Sequence, residues 1–506
     1  VLTNRPTHSD AAVIDVGSNS VRLVFYRLEG RAIWSVYNEK VLAGLGRDLA
    51  ATGRLSPDGA ATAIDALSRF RVLIEAAKPD EVFTVATAAV RDASDGRAFC
   101  QRVEDRTGLS LRVLTGEEEA RYSALGVLAG LPHATGLVGD LGGASLELTR
   151  LEDGEPGQGV SLPLGPFSIA DRGKAEPDKV RAAIERHLRP IAGRFGARSF
   201  NAVGGAWRNF ALIHMRMSGY PLEIVHQYEI EARDALDAAA FVSRQSKGSL
   251  DGVGGISRRR LETLPHAALV LEGLIQHLGI ERIVLSAYGL REGLLLEAAS
   301  PRLRRRDPLI EGCAALGARQ AVAEPLGAGL EAWLTEPFSR LDPLFGARDQ
   351  TLLAAACRLA ELGAQLHPDH RARLIFDQVL RAPIAGMDHA ERVFLACAAF
   401  ARHSASANFP QPEITTRLLS TERRQRARIV GAALRLGCDL SGRNPELLGH
   451  ARLEFRPDAV VLATSPMWGA ILLSEQTQKR ATALASALER PLAVERFVAE
   501  PELATA

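Results

Sequence analysis

The chain repeats itself. "VIDVGSNSVRL" (residues 13–23) returns as "VGDLGGASLEL" (138–148), with Asp15, Gly17, Ser20 and Leu23 matched by Asp140, Gly142, Ser145 and Leu148 at a constant offset of 125. The surroundings repeat as well. Each copy leads into a strand-like stretch ("VRLVFYRL"; "LELTRLEDG") and then another ("AIWSVYNEKVLAGL"; "GVSLPLG"). A helix opening on proline follows, from Ser56 in one half and from Glu176 in the other, a position where the missing N–H had no partner to lose. A buried-looking strand closes each unit, at 81–87 and 199–205. Two β-β-β-α-β units of this size predict two similar α/β domains facing each other rather than a solenoid.

The repeated element is a strand that delivers an aspartate, turns on glycine and returns. Gly17 and Gly142 let backbone N–H groups approach a ligand closely, and Ser18, Ser20 and Ser145 add hydroxyl donors. Two such turns in register read as a phosphate clamp, with Gly17, Ser18, Asn19 and Ser20 on one jaw and Gly142, Gly143, Ala144 and Ser145 on the other. A polyphosphate or nucleotide tail also needs a divalent cation. Mg²⁺ takes few carboxylates and fills its shell with waters and substrate oxygens. Asp15, Asp140 and Glu147 are the candidate ligands, with Arg22 standing where the second copy has Glu147. The stretch "VGGAWRNFA" (203–211) adds a glycine pair at a strand end opening a helix, so Gly204, Gly205 and Arg208 are candidate substrate contacts.

Composition narrows the partners. With 506 residues the chain is too long for one core. Its net charge of +1 lacks the basic excess of a nucleic-acid binder, so a polyanion must be met by a local basic patch. Five scattered cysteines without a CxxC argue for a reducing compartment and against structural zinc. The polar "VLTNRPTHSD" has no apolar signal region, and no segment reads as a membrane span, so a cytoplasmic protein is expected. The basic run "PRLRRRDP" (301–308) reads as a linker, residues beyond it to about 440 are helical in period, and "ARLEFRPDAVVLATS" opens a small α+β tail.

Taken in order, "DVGSNSVRL", "ATAAVRDASD", "LTGEEEARYSALGV", "GDLGGASLEL", "VGGAWR" and "LSAYGLREGLL" resemble the exopolyphosphatase/guanosine pentaphosphate phosphohydrolase (Ppx/GppA) family, from residue 11 to about 300. The resemblance implies an α/β fold of duplicated actin-like (ASKHA, ribonuclease H-like) domains, at 1–130 and 131–305. It is similar to the longer members in having an all-α HD-like domain (306–446) and a small α+β domain (447–506) behind them. The HD pair itself is degraded to Ala360-Glu361, with His367, His370 and His403 remaining. No second metallohydrolase centre is expected there; a role in packing against a partner subunit or lining a channel is.

The resemblance also implies roles. Glu119 matches the glutamate that activates the attacking water, and Arg91 an arginine that grips substrate phosphate. Asp140 and Glu147 match metal-associated carboxylates, and Arg260 falls where an arginine often lies near the substrate. The implied cofactor is Mg²⁺, with K⁺ stimulation left open. The implied partner is inorganic polyphosphate, hydrolysed from its end by a homodimer. Guanosine penta- or tetraphosphate is the alternative, and a non-catalytic polyphosphate or nucleotide sensor the second alternative. A kinase of the same superfold is disfavoured, since no sugar-kinase signature is present. Arg258, Arg259 and Arg260, with Arg302, Arg304, Arg305 and Arg306, are candidates for a basic path along the polymer.

Overall fold

Strand β1 (His8–Val16) is buried on both faces, which explains why its apolar residues run continuously instead of alternating. Ala12, Ile14 and Val16 pack into one core, while Ala11 and Val13 point into another. The computed structural model describes residues 8–169, 176–244, 263–318 and 325–496. Within it the chain divides into two compact units at Pro308/Leu309.

The first unit holds both repeats. In the first, β1 is followed by β2 (Val21–Glu29), β3 (Ala32–Val41), α1 (Pro57–Ala77), β4 (Glu81–Ala86), α2 (Ala88–Asp92), α3 (Gly96–Thr107), β5 (Arg112–Val113) and α4 (Gly116–Gly130). The second contains β6 (Gly136–Leu141), β7 (Leu146–Glu152), β8 (Glu155–Leu162), α5 (Pro177–Leu188), β9 (Ser199–Val203) and α6 (Gly205–Met217). It continues through β10 (Glu229–Glu231), α7 (Ala232–Arg244), α8 (Leu264–Leu278), β11 (Arg282–Leu285) and α9 (Leu290–Ala298). The sheet orders are β3-β2-β1-β4-β5 and β10-β11-β9-β6-β7-β8. In each, the first two strands form an antiparallel hairpin and the strand after the helix joins parallel to the first, so the duplication in sequence is a duplication in topology.

Local chemistry sets the ends of these elements. α1 begins with Pro57 after Ser56 and ends on Lys78 in the left-handed region. The second proline-opened helix stops at Leu188, and Arg189–Ile191 form a 3₁₀ turn around Pro190, which cannot continue the ladder. The expected strand at "LSLRVLT" is reduced to the two residues of β5.

α4 and α9 cross with their backbones nearly touching. A Cβ on Gly126 would lie 2.0 Å from the Gly289 carbonyl oxygen, and one on Gly293 would lie 1.8 Å from that of Tyr122. Only glycine fits such an approach. The core between the two sheets gathers Val13 and Tyr26 from one, Val138 and Val203 from the other, and Leu125, Leu290 and Leu294 from the crossing helices.

The second unit is helical up to a short 3₁₀ segment at Pro445–His450. Its central helix, His389–His403, is buried along almost its whole length. The tail strands β12 (Ala451–Phe455) and β13 (Val460–Thr464) carry a third, β14 (Leu492–Arg496), in the order β12-β13-β14. Its half-exposed "LAVER" lacks the apolar run that marks a buried strand, which is why sequence reading passed over it.

Candidate active site

The two repeated hairpins superimpose in their bonding. Gly17 N–H donates to the Ser20 carbonyl at 3.0 Å, and Gly142 N–H to that of Ser145 at 2.9 Å. The register pairs Asp15 with Arg22 and Asp140 with Glu147, so each pair shares one face of its sheet. The turns are also neighbours across the unit: a Cβ on Gly143 would sit 3.2 Å from Ser18 Cβ. Their carbonyls are tied back to the body of the protein. Ser18 and Asn19 accept from the N–H groups of Gly46 and Gly44, and Gly143 and Ala144 from those of Phe167 and Gly165.

Of the three glutamates opening α4, only one turns inward. Thr115 and Glu118 form a capping box, with Glu118 N–H donating to Thr115 Oγ1 at 3.1 Å and Thr115 N–H to Glu118 Oε2 at 2.8 Å. Glu117 is exposed and Glu119 is only 8% exposed. Arg91, in the last turn of α2, donates from Nη1 to Glu119 Oε2 at 2.9 Å and to the Leu114 carbonyl at 3.2 Å. Burial pushes Glu119 up to about 7. Arg91 pulls the other way, and the charges of Asp140 and Asp15 add to the rise. The ion pair is real, but burial and two neighbouring acids outweigh it.

The second jaw is acidic. Glu147, 2% exposed, accepts from Ser161 Oγ at 2.8 Å, and Asp140 from Ser123 Oγ at 2.7 Å. Burial raises both. Glu119 and Asp140 push Glu147 further against its serine hydroxyls, and Asp15 and Glu292 push Asp140 against Ser123 and Arg291. Gly204 completes this corner at φ +115°, where a Cβ would meet the Leu141 carbonyl at 2.7 Å and Asp140 Oδ1 at 3.2 Å. The helix behind it is held by Trp207, buried against Phe200, whose indole N–H donates to the Ala267 carbonyl at 3.1 Å.

The first jaw is basic. Arg291, at the start of α9, donates to Asp15 Oδ2 at 2.9 Å. Beside it Glu292 accepts from Tyr26 Oη at 2.6 Å and from Gly289 N–H at 2.9 Å, capping its own helix while tying it to β2. Burial pulls Arg22 down to about 10, and the charge of Arg291 adds to that.

The structure thus gathers Asp15, Arg22, Arg91, Glu119, Asp140, Glu147, Gly204 and the two turns into one region. Gly205 is exposed with open space around its α-carbon, and Arg208 is exposed one turn into α6. Arg260 lies outside the described residues, as do Arg258 and Arg259. Arg291, Ser123, Ser161, Tyr26 and Glu292 were missed. The only signal for Arg291 was its place in "GLREGLL", and a hydroxyl on a helix or strand carries no motif of its own.

One expectation needs correcting. Asp15, Asp140 and Glu147 do not form a joint ligand set, since no three His, Cys, Asp or Glu side chains among the described residues are grouped to hold a metal ion. Asp15 is instead engaged by Arg291. What fits Mg²⁺ is a smaller set. Asp140 and Glu147 lie opposite each other in register and repel one another while buried, and a cation completed by phosphate oxygens needs no more than one or two carboxylates. In the second unit, His403 Nε2 bonds the Leu362 carbonyl at 3.1 Å, His367 caps the helix Pro368–Arg381, and Glu361 is buried beside Arg443.

The family model described as "Ppx/GppA phosphatase family" matches residues 24–301, over half of the chain. The chain belongs to the Ppx/GppA phosphatase family. It is therefore an enzyme, a hydrolase of that family. A second model, "Exopolyphosphatase, C-terminal", matches residues 345–493. Among curated relatives, the chain is 28% identical over 298 residues to Exopolyphosphatase 1 of Mycobacterium tuberculosis, covering 56% of this chain and 86% of that one. It is 26% identical over 314 residues to Exopolyphosphatase 2 of the same organism, covering 57% and 98%. The crystal structure of the Aquifex aeolicus Ppx/GppA family member is similar at a TM-score of 0.51 and 25% identity, over 58% of this chain and all of that one. The first hairpin, residues 13–23, precedes the segment matched by the family model, and its kinship to the second rests on the shared register and turn bonds.

Proposed function

We propose that this Ppx/GppA member is an exopolyphosphatase that hydrolyses the terminal phosphoanhydride of long-chain inorganic polyphosphate and releases orthophosphate. The observation that carries the reading is Glu119: a buried carboxylate pushed up to about 7, oriented by Arg91, in the region of two equivalent glycine turns. A base poised near neutrality is what general-base activation of water at a phosphoryl centre requires. The named relatives and the C-terminal exopolyphosphatase match support polyphosphate as the substrate.

In this reading the two turns, Gly17–Ser20 and Gly142–Ser145, hold the terminal phosphoryl group. Glu119 accepts a proton from a water whose oxygen attacks the terminal phosphorus. The bridging P–O bond breaks, and its electron pair leaves with the shortened chain. Arg91 keeps the Glu119 carboxylate in one orientation, and its guanidinium can share charge with a phosphoryl oxygen. Asp140 and Glu147 would hold Mg²⁺, which when bound neutralises charge on the phosphate oxygens. The helical region is read as a degenerate HD-like domain followed by a small tail domain, in a cytoplasmic homodimer.

The test is orthophosphate release from long polyphosphate and from guanosine pentaphosphate, each with Mg²⁺ and with EDTA. Faster Mg²⁺-dependent release from polyphosphate is expected. Preference for guanosine pentaphosphate would transfer the same mechanism to a 5′-phosphohydrolase. Binding of polyphosphate without release from either substrate would mark a sensor.

A further inference from the structure

The two jaws are unequal in a way that the duplicated turns do not explain. Where the second sheet pairs Asp140 with Glu147, the first pairs Asp15 with Arg22, and α9 brings Arg291 to the same aspartate at 2.9 Å. Two guanidinium groups therefore converge on one carboxylate. Both are under-satisfied: the Nε atoms of Arg22 and Arg291 are buried with no hydrogen-bond acceptor among the described residues. A buried guanidinium donor left without an acceptor is costly, and two beside a single carboxylate leave a net positive charge. Proximity to Arg291 and Arg208 lowers the proton affinity of Arg22, and Glu292 and Tyr26 stabilise the charge of Arg291. A structural salt bridge would need only one of these cations. An anion that takes Nε and Nη donors together would satisfy both.

The geometry points to a second phosphate seat formed by Arg22 and Arg291, for the phosphoryl group adjoining the one that is hydrolysed, with the Asp15 carboxylate as its placeholder when no substrate is bound. This rests on the polyphosphate reading and deepens it. The acidic jaw, with Glu119, Asp140 and Glu147, handles the terminal phosphoryl group, and the basic jaw grips the next phosphate along. Tyr26 and Glu292 are positioning residues, since they hold the α9 N-terminus against β2. When a phosphate displaces it, Asp15 gives up Arg291.

The test is a double-mutant cycle in the Glu119→Gln background, with tripolyphosphate binding measured by calorimetry in EDTA. Arg291→Gln should weaken binding about tenfold or more, the scale of a lost charge-assisted hydrogen bond. Asp15→Asn should do the opposite and tighten binding severalfold, because the placeholder no longer competes. That gain should vanish when Arg291→Gln is also present, giving strong non-additivity. Unchanged or weakened binding in Asp15→Asn, or additive effects, would overturn the seat. Should Arg291→Gln fail to fold by circular dichroism, Arg22→Gln takes its place in the same cycle. Orthophosphate release by the unmutated enzyme is measured alongside. If release from polyphosphate is intact and the cycle fails, only the seat falls; if release is absent, the functional reading falls.

Discussion

Arg91 Nη1 and Glu119 Oε2 are joined at 2.9 Å, yet Glu119 is pushed up to about 7 rather than down. The pair is a brake on that rise. Without Arg91, burial and the charges of Asp140 and Asp15 would act unopposed.

Replacing Glu119 by glutamine removes the proton acceptor and keeps the shape. Phosphate release should fall by about 10²–10⁴-fold, the usual worth of a general base. Binding of polyphosphate, followed by calorimetry, should survive within a few-fold. Activity retained at wild-type level would rule out Glu119 as the base.

The pH dependence follows with a defined sign. Glu119 must be ionised to accept a proton, so kcat should decline as pH falls through about 7. Arg91→Gln takes away the group that lowers this value, so the acidic limb should move to higher pH, in addition to any loss in rate. A limb that stays in place would mean that Arg91 does not act on Glu119. The measurement is a kcat profile from pH 5.5 to 9.

Glu147 makes a stability prediction. Burial and the charge of Glu119 raise it well above the ordinary glutamate value. The folded state therefore holds its proton where the unfolded chain has released it, and stability falls as pH rises above the unfolded value of about 4.3. Glu147→Gln abolishes that loss and still offers an oxygen to Ser161. Its Tm should exceed that of the wild type at pH 8 and match it near pH 4.5, while activity drops. An equal change at both pH values would contradict the assignment.

Gly293→Ala tests the helix crossing. A methyl group there would collide with the Tyr122 carbonyl at 1.8 Å, so α4 and α9 must separate. Overpacking of this kind costs about 1–3 kcal/mol. Because Glu119 sits on α4 and Arg291 on α9, activity should fall further than stability does. Urea denaturation together with phosphate-release kinetics separates the two effects.

The duplicated hairpins were legible because their chemistry is local: a four-residue turn needs its glycines and hydroxyls at fixed spacing, and the fold preserves that spacing as register. The proline-opened helices and buried strands were legible for the same reason. β14, the shortness of β5 and the break at Pro190 were not read, since short or half-exposed segments have little periodicity to see. Among the three glutamates at 117–119, sequence alone offered no reason of its own to prefer one. The capping box decides it, by committing Glu118 to Thr115 and turning Glu119 inward.

By itself, then, the sequence determined the repeat, the two turns and the asymmetry of Arg22 against Glu147, because each is written in residues within about ten positions of one another. Only the tertiary structure decided that Arg291, 276 residues from Asp15, closes on it, and that Asp15 is engaged by an arginine rather than by a shared carboxylate cluster. The physical reason is that pairing across that span depends on two glycines allowing helix backbones to meet, and no local pattern announces which distant residue such a contact will deliver.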